Sequence, residues 1–349
     1  MGEQKKRKTM KTVLRVICAL LVLVLLSAAA LFVIPLTETL IVDPGAEAAS
    51  WMGALEDSLP LSEITLPGTH NSATQYCQIA FLTRCQDLSI REQLEAGYRY
   101  LDIRLGLEGE RLKLMHSFTG CRKGPMPWDE GLYLEDVLAQ CYAFLREHPS
   151  ETLLFNVKKE HGSQTAAAFA QALEAVLQRD LRFWYEGSSL PTLGEARGKL
   201  VLLRRYVDRS LPAQADCMGV PCFWKEQDEA EDSGPHIERV EGNGYELWIQ
   251  DRFHYGTEEK WNAFVKGLRE PAVSSGALSI HFLSTAGTAK YGHPWHFAKE
   301  LNERFLGLEQ GELRGWIVVD FGDDLMAARI YSANRSVSEN REEAPTVNA

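Results

Sequence analysis

The chain has 349 residues, 45% hydrophobic and 24% charged, which is the composition of a folded globular protein and excludes a disordered or low-complexity chain. Its formal charge is −11; beyond residue 36 the chain holds 31 Lys and Arg against 47 Asp and Glu, or −16. Such a body exerts no general pull on nucleic acid or anionic lipid, so an anionic substrate has to be met by a local basic site.

Residues 1–36 combine a basic cluster (Lys5, Lys6, Arg7, Lys8, Lys11, Arg15) with an uncharged apolar run from Val16 to Leu36. A bilayer is crossed by about 20 apolar residues as helix, and a secretory signal has an apolar region of only about 7–15. The expectation is a retained signal anchor, a single-pass segment with its basic end cytoplasmic and the rest of the chain on the extracellular side. Cleavage of the segment, for which Ala46-Glu47-Ala48 offers a small-residue pattern downstream, gives a secreted protein instead. Residues 37–60 read as a linker, 61–332 as one folded body and 333–349 as a polar tail.

From Leu61 onward short apolar runs alternate with helical patterns. The strand candidates are Ile64–Leu66, Tyr100–Ile103, Leu112–Met115, Leu153–Val157, Leu200–Leu203, Tyr245–Ile249, Leu278–Phe282 and Trp316–Val319. Helix candidates are Ile90–Glu95, Leu134–Glu147, Ala166–Gln178, Asn262–Leu268, His296–Phe305 and Ala327–Tyr331. Leu134, Val137, Leu138, Cys141 and Leu145 recur three and four apart, which makes one apolar stripe. Eight strands alternating with helices predict an α/β fold, a single irregular (β/α)8 TIM-type barrel that need not close completely.

Six cysteines lie outside the apolar run, and an even count in an exported protein permits disulfides. Cys217 with Cys222, and Cys77 with Cys85 or Cys121, are the candidate pairs, while Cys141 sits among core positions. No Cys/His spacing suggests zinc, and no metal or cofactor is expected.

The chemistry-bearing residues fall at the carboxyl ends of the strand candidates. His70 follows the first, Asp102 and Arg104 end the second and His116 ends the third. Lys158 and Lys159 follow the fourth, Arg204 and Arg205 the fifth, Asp251 the sixth and Asp320 the eighth. One histidine after a strand means little, but in a barrel that end of the strands builds the active site. Two imidazoles and a guanidinium suit phosphodiester cleavage by an internal hydroxyl: one ring takes the hydroxyl proton, the other protonates the departing oxygen, and the guanidinium holds the phosphoryl oxygens. A carboxylate such as Asp320 fixes one histidine's tautomer.

These residues also carry a resemblance. The segment LSEITLPGTHNSAT at 61–74 resembles the first signature of bacterial phosphatidylinositol-specific phospholipase C. Further similar stretches follow in the family's order: GYRYLDIRL at 97–105, LKLMHS at 112–117, HPSETLLFNVKKE at 148–160, ARGKLVLLRRY at 196–206, LWIQDRF at 247–253 and GWIVVDF at 315–321. The resemblance covers essentially residues 50–335. It implies that His70, paired with Asp320, is the general base on the inositol 2-hydroxyl, His116 the general acid and Arg104 the phosphate clamp supported by Asp102. Lys158, Arg205 and Asp251 are implied to bind inositol hydroxyls. The implied substrate is an inositol phospholipid in a membrane, cut by a monomer to diacylglycerol and inositol 1,2-cyclic phosphate. Two residues depart from the pattern. Asn71 stands where relatives have an Asp that assists the acid histidine, and Phe253 where they stack a Tyr on the inositol ring. The rival readings are a metal-dependent glycerophosphodiesterase-like barrel and an inactive module that binds inositol headgroups. Against the first, the sequence after Thr69 is His-Asn-Ser rather than His-Arg; against the second, His70, His116, Arg104 and Asp320 are all present.

Overall fold

A computed structural model describes residues 2–33, 45–160, 162, 164–206, 218–225, 238–241, 245–270, 277–288 and 293–342. Its strands in chain order are β1 (Leu66–Thr69), β2 (Tyr100–Glu108), β3 (Arg111–His116), β4 (Thr119–Gly120), β5 (Leu153–Lys159), β6 (Leu200–Arg204), β7 (Val220–Pro221), β8 (Glu238–Glu241), β9 (Glu246–Gln250), β10 (Leu278–Phe282) and β11 (Trp316–Val319). They follow one another across the sheet as β7-β6-β5-β2-β1-β11-β10-β9-β8. Every neighbouring pair is parallel except β8 with β9. Among the described residues β7 and β8 do not pair, so the curled sheet has two edges.

The sheet holds eight parallel strands, but not the eight expected from sequence. Leu112–Met115 is in a strand, β3, which runs antiparallel to β2 and extends into β4. Only Gly109 and Glu110 separate β2 from β3, with Gly109 at φ 64°. A turn that short makes a hairpin, because a parallel return needs a crossover of about a dozen residues. The eighth parallel strand is the two-residue β7, too short to leave a sequence pattern. The first strand is also displaced, from Ile64–Leu66 to Leu66–Thr69, because Pro67 and Gly68 read as strand breakers. Gly68 is required there: a Cβ would lie 2.8 Å from the Tyr100 ring on the adjacent strand.

Side-chain parity divides the core. Leu66, Tyr100, Leu154, Val201, Leu203, Leu247, Ile249, Leu278, Ile280, Trp316 and Val318 pack together inside the curl. Leu101, Ile103, Leu153, Phe155 and Leu202 face the opposite way, onto helices such as Leu134–Glu147, and Ile317 and Val319 do the same with others. Since strand side chains alternate, Asp102 and Arg104 continue Tyr100's inner face and Lys158 continues that of Leu154. Arg205, Asp251 and Asp320 likewise share the parity of Leu203, Ile249 and Val318.

The helices expected at Ile90–Glu95 and Leu134–Glu147 occur with those bounds. The first is capped reciprocally, the Glu92 amide donating to Ser89 Oγ (3.3 Å) and the Ser89 amide to Glu92 Oε2 (2.7 Å). The last helix runs Asp324–Glu342, well past the expected end at Tyr331, so part of the expected tail is helical. The expected linker is also partly structured: Trp51 and Met52 are buried with Leu61. The reason is Arg99, fully buried, which pairs with Glu151 at 2.9 Å and donates to the carbonyls of Ala48 (3.2 Å) and Ala49 (2.9 Å). At the amino end a helix spans Gly2–Val33, and its Gln4–Ala29 stretch, with none of its best 18-residue window buried and a mean hydropathy of 2.6 over that window, is long and apolar enough to cross a membrane. The Cys77 and Cys121 sulfurs lie 3.9 Å apart as thiols, and Cys141 is a buried free thiol. Cys217, and with it the pairing to Cys222, lies outside the described residues.

Candidate active site

The inner parity of the strands ends in a cavity of about 310 Å³ at their carboxyl ends. Its walls include His70, Arg104, His116, Lys158, Arg205, Asp251, Phe253 and Asp320, so the structure gathers these sequence candidates in one place. Asp102 and Asn71 lie buried behind the wall. Lys159, of opposite parity, reaches toward the Gly162 carbonyl (3.5 Å), and Arg204 donates to the Gly219 carbonyl (3.1 Å).

His70 leaves the end of β1 with its Nδ1 2.7 Å from Asp320 Oδ1, which follows β11. The carboxylate accepts the Nδ1 proton and leaves Nε2 as the acceptor. The Asn71 amide donates to that Nε2 at 3.1 Å. His116, carried over the cavity by β3, donates from Nδ1 to the Thr83 carbonyl at 2.8 Å. The two imidazoles stand 6.2 Å apart, nearly perpendicular. Burial, then the charges of Arg104 and His70, push His116 down to about 4, against the opposing hydrogen bond to Thr83. Asn71 therefore touches His70, and the group that orients His116 is a backbone carbonyl.

Arg104 is held by two carboxylates: Nε donates to Asp102 Oδ2 (3.0 Å) and Nη1 to Glu160 Oε1 (3.1 Å). Asp102 also accepts from the Asn71 backbone N–H (3.1 Å) and from Asn156 Nδ2 (3.0 Å). Burial alone would raise its carboxyl, but Arg104, His70, Arg205 and these hydrogen bonds hold it well below the usual carboxylate range. Across the cavity Arg205 donates to Asp251 Oδ2 at 2.6 Å and stacks over Trp224 at 3.8 Å, while the Trp224 indole N–H donates to the same Asp251 oxygen at 2.8 Å. This gives a second polar cluster facing the first, with Phe253 on the wall near it.

The only non-glycine residues with positive φ among those described are Asn71 (45°), Ser117 (54°) and Phe321 (49°). Each directly follows one of His70, His116 and Asp320. Left-handed backbone at such residues costs about 1–2 kcal/mol each and clusters where a side chain is being aimed.

Sequence reading missed Glu160, Trp224 and Cys85. Glu160 continues the inner parity of Asn156 and Lys158 and was legible on that ground. Trp224 follows a strand too short to give a pattern. Cys85 lines the cavity from a loop, and burial followed by the Asp320 carboxylate holds its thiol well above the ordinary range.

Residues 58–206 match the family model described as phosphatidylinositol-specific phospholipase C, X domain. The chain is 24% identical over 309 residues to a 1-phosphatidylinositol phosphodiesterase of Staphylococcus aureus strain Newman, covering 82% of this chain and 94% of the relative. It is 30% identical over 164 residues to one of Listeria monocytogenes, 44% of this chain and 47% of that protein. Among solved structures, a phosphatidylinositol-specific phospholipase C from Staphylococcus aureus superposes with TM-score 0.65 at 22% identity, covering 83% of this chain and 99% of that one. The Listeria monocytogenes enzyme gives 0.62 at 21%, with 82% and 98% covered. At these identities the structural likeness speaks to the fold, a barrel of the same kind.

Proposed function

From its membership of the X-domain family of phosphatidylinositol-specific phospholipases C, we propose that this chain cleaves phosphatidylinositol-type lipids to diacylglycerol and inositol 1,2-cyclic phosphate. The observation that carries the reading is the pair of imidazoles 6.2 Å apart across one cavity, one bound to a carboxylate and the other to a carbonyl, with Arg104 beside them. His70 Nε2, freed from the Asn71 amide, takes the inositol 2-hydroxyl proton, and Asp320 stabilises the imidazolium. His116 protonates the diacylglycerol oxygen. Arg104, fixed by Asp102 and Glu160, clamps the phosphoryl oxygens and offsets the charge that builds up on them. Lys158, Arg205 and Asp251 hold the inositol hydroxyls, and Phe253 offers its ring face to the sugar.

Base and acid act on different oxygens of the same transfer, which makes the two histidines separable. His70→Ala and His116→Ala each abolish lipid cleavage, since each transfer typically contributes roughly 10²- to 10⁴-fold. A substrate whose leaving group needs no proton partly rescues His116→Ala and leaves His70→Ala inactive. Equal, unrescued loss in both contradicts the assignment. The amino-terminal helix acts as a single-pass anchor holding a monomeric catalytic body on the extracellular side. Protease added outside intact cells then degrades the body, and protection from it contradicts this orientation.

A further inference from the structure

Cys85 lines the cavity, yet the proposed reaction gives its thiol no task. Its sulfur, a ring nitrogen of His70 and a carboxylate oxygen of Asp320 all lie within 4.8 Å of one another. The same sulfur is 3.8 Å from His116 Nδ1. Thiolate, imidazole and carboxylate together are the donor set of zinc and its chemical neighbours rather than of calcium or magnesium. Ligand atoms of a tetrahedral zinc site stand about 3.3–3.6 Å apart, as bonds of roughly 2.0–2.3 Å require, so no pair has to close by more than about 1.5 Å, and if Nδ1 is the ligand its 2.7 Å contact with Asp320 opens by somewhat less than about 1 Å. A second observation points the same way. Asn71 is 1% exposed, and its Oδ1 has no hydrogen-bond partner among the described residues. The nitrogen end of that amide sits 3.1 Å from His70 Nε2 and 4.0 Å from the Cys85 sulfur. Oxygen and nitrogen of an amide have nearly the same shape, so a half-turn presents the orphan oxygen to the same cluster as a fourth donor.

We propose that Cys85, His70 and Asp320 form an inhibitory site for a soft divalent metal of the zinc class, seated on the proposed catalytic base. The metal–sulfur bond forms as the thiol proton leaves to solvent. Whichever ring nitrogen binds, the lone pair that accepts the substrate proton or the bond that orients the ring is taken. Metal and turnover are therefore exclusive, and a chelator restores the rate. The inhibition rests on the function proposed above, whereas the metal binding does not.

The test uses the full chain in detergent, titrated with cobalt(II) alone as a spectroscopic stand-in for zinc. The unmodified protein develops a saturable thiolate-to-cobalt charge-transfer absorption that added zinc removes, and Cys85→Ser does not. In parallel, zinc inhibits cleavage of phosphatidylinositol, and Cys85→Ser, measured against its own zinc-free rate, shifts the half-inhibitory concentration upward by roughly ten-fold or more. Absence of the band in the unmodified chain, an equal band in Cys85→Ser, or unchanged zinc sensitivity in that variant overturns the site. If the chain cleaves no inositol lipid, the cobalt titration still decides the metal site by itself, so the two failures are told apart.

Discussion

His116 sits where its environment works against the proton it has to donate. Burial and the neighbouring cations bring it down to about 4, so in the free protein it is neutral at pH 7. A phosphodiester drawn in by Arg104 adds negative charge at that spot, which favours the imidazolium. We predict that the His116 ring titrates near 4 by NMR in the free protein and moves upward when an inositol phosphate is bound; a midpoint unmoved by the ligand contradicts the acid role. The linkage sign follows. The unfolded histidine takes its proton near about 6.5 and the folded one only near 4, so the unfolded state binds more protons between them and stability falls as pH drops through that window. Asn71 makes a sharper residue-scale case, because sequence reasoning treats it as a lost helper of His116 whereas its amide touches His70 Nε2. Asn71→Asp places a carboxylate that favours protonated His70, so the acid limb of the kcat/KM profile moves to higher pH. A shift confined to the alkaline limb would return Asn71 to His116. The identities of nearly all the charged residues in the cavity were legible from sequence because they end strands at one parity. The Thr83 carbonyl was not, since a backbone acceptor leaves no mark on residue type.

Among the elements, β3 is the strand whose direction sequence reasoning misread, and it is what brings His116 to the cavity. Its strand pattern was visible, but direction is set by the turn at Gly109 and not by the apolar residues themselves. Phe118, on the turn between β3 and β4, is 53% exposed and lines the cavity mouth, and Met126 and Trp128 are exposed in the stretch that follows, Trp128 at 78%. Large apolar side chains left in water, one of them on the wall of a lipid-cutting cavity, fit insertion into the membrane that holds the substrate. Burying one such aromatic is worth about 1.5–3 kcal/mol. Phe118→Ala and Trp128→Ala are therefore expected to weaken vesicle binding by roughly ten-fold or more each in the chain freed of its amino-terminal helix, with turnover of a water-soluble inositol phosphodiester retained. Equal loss on both substrates would make the hairpin part of the cavity's chemistry. The helices Ile90–Glu95 and Leu134–Glu147 were legible to the residue, because their caps and apolar stripes are local. The two-residue β7 and the buried Trp51 were not, for they depend on contacts far away in sequence, such as Arg99 reaching the Ala48 and Ala49 carbonyls.

As a whole molecule the chain sets a strongly acidic body around a cavity whose own charges are Arg104, Lys158 and Arg205, each offset by Asp102, Glu160 or Asp251. Two fixed guanidinium groups and a lysine in one cavity disfavour the six to eight oxygen ligands that calcium takes. Arg104 supplies the positive charge that a metal would otherwise bring to the phosphate, and its removal in Arg104→Ala should cost on the order of 10²-fold or more. The most direct test follows the phosphorus of phosphatidylinositol by 31P NMR while the full chain acts on it with a metal chelator present. The account predicts that a cyclic phosphodiester forms first, at a rate the chelator does not lower. Direct formation of a phosphate monoester, or activity abolished by chelator and restored by added calcium, would contradict it.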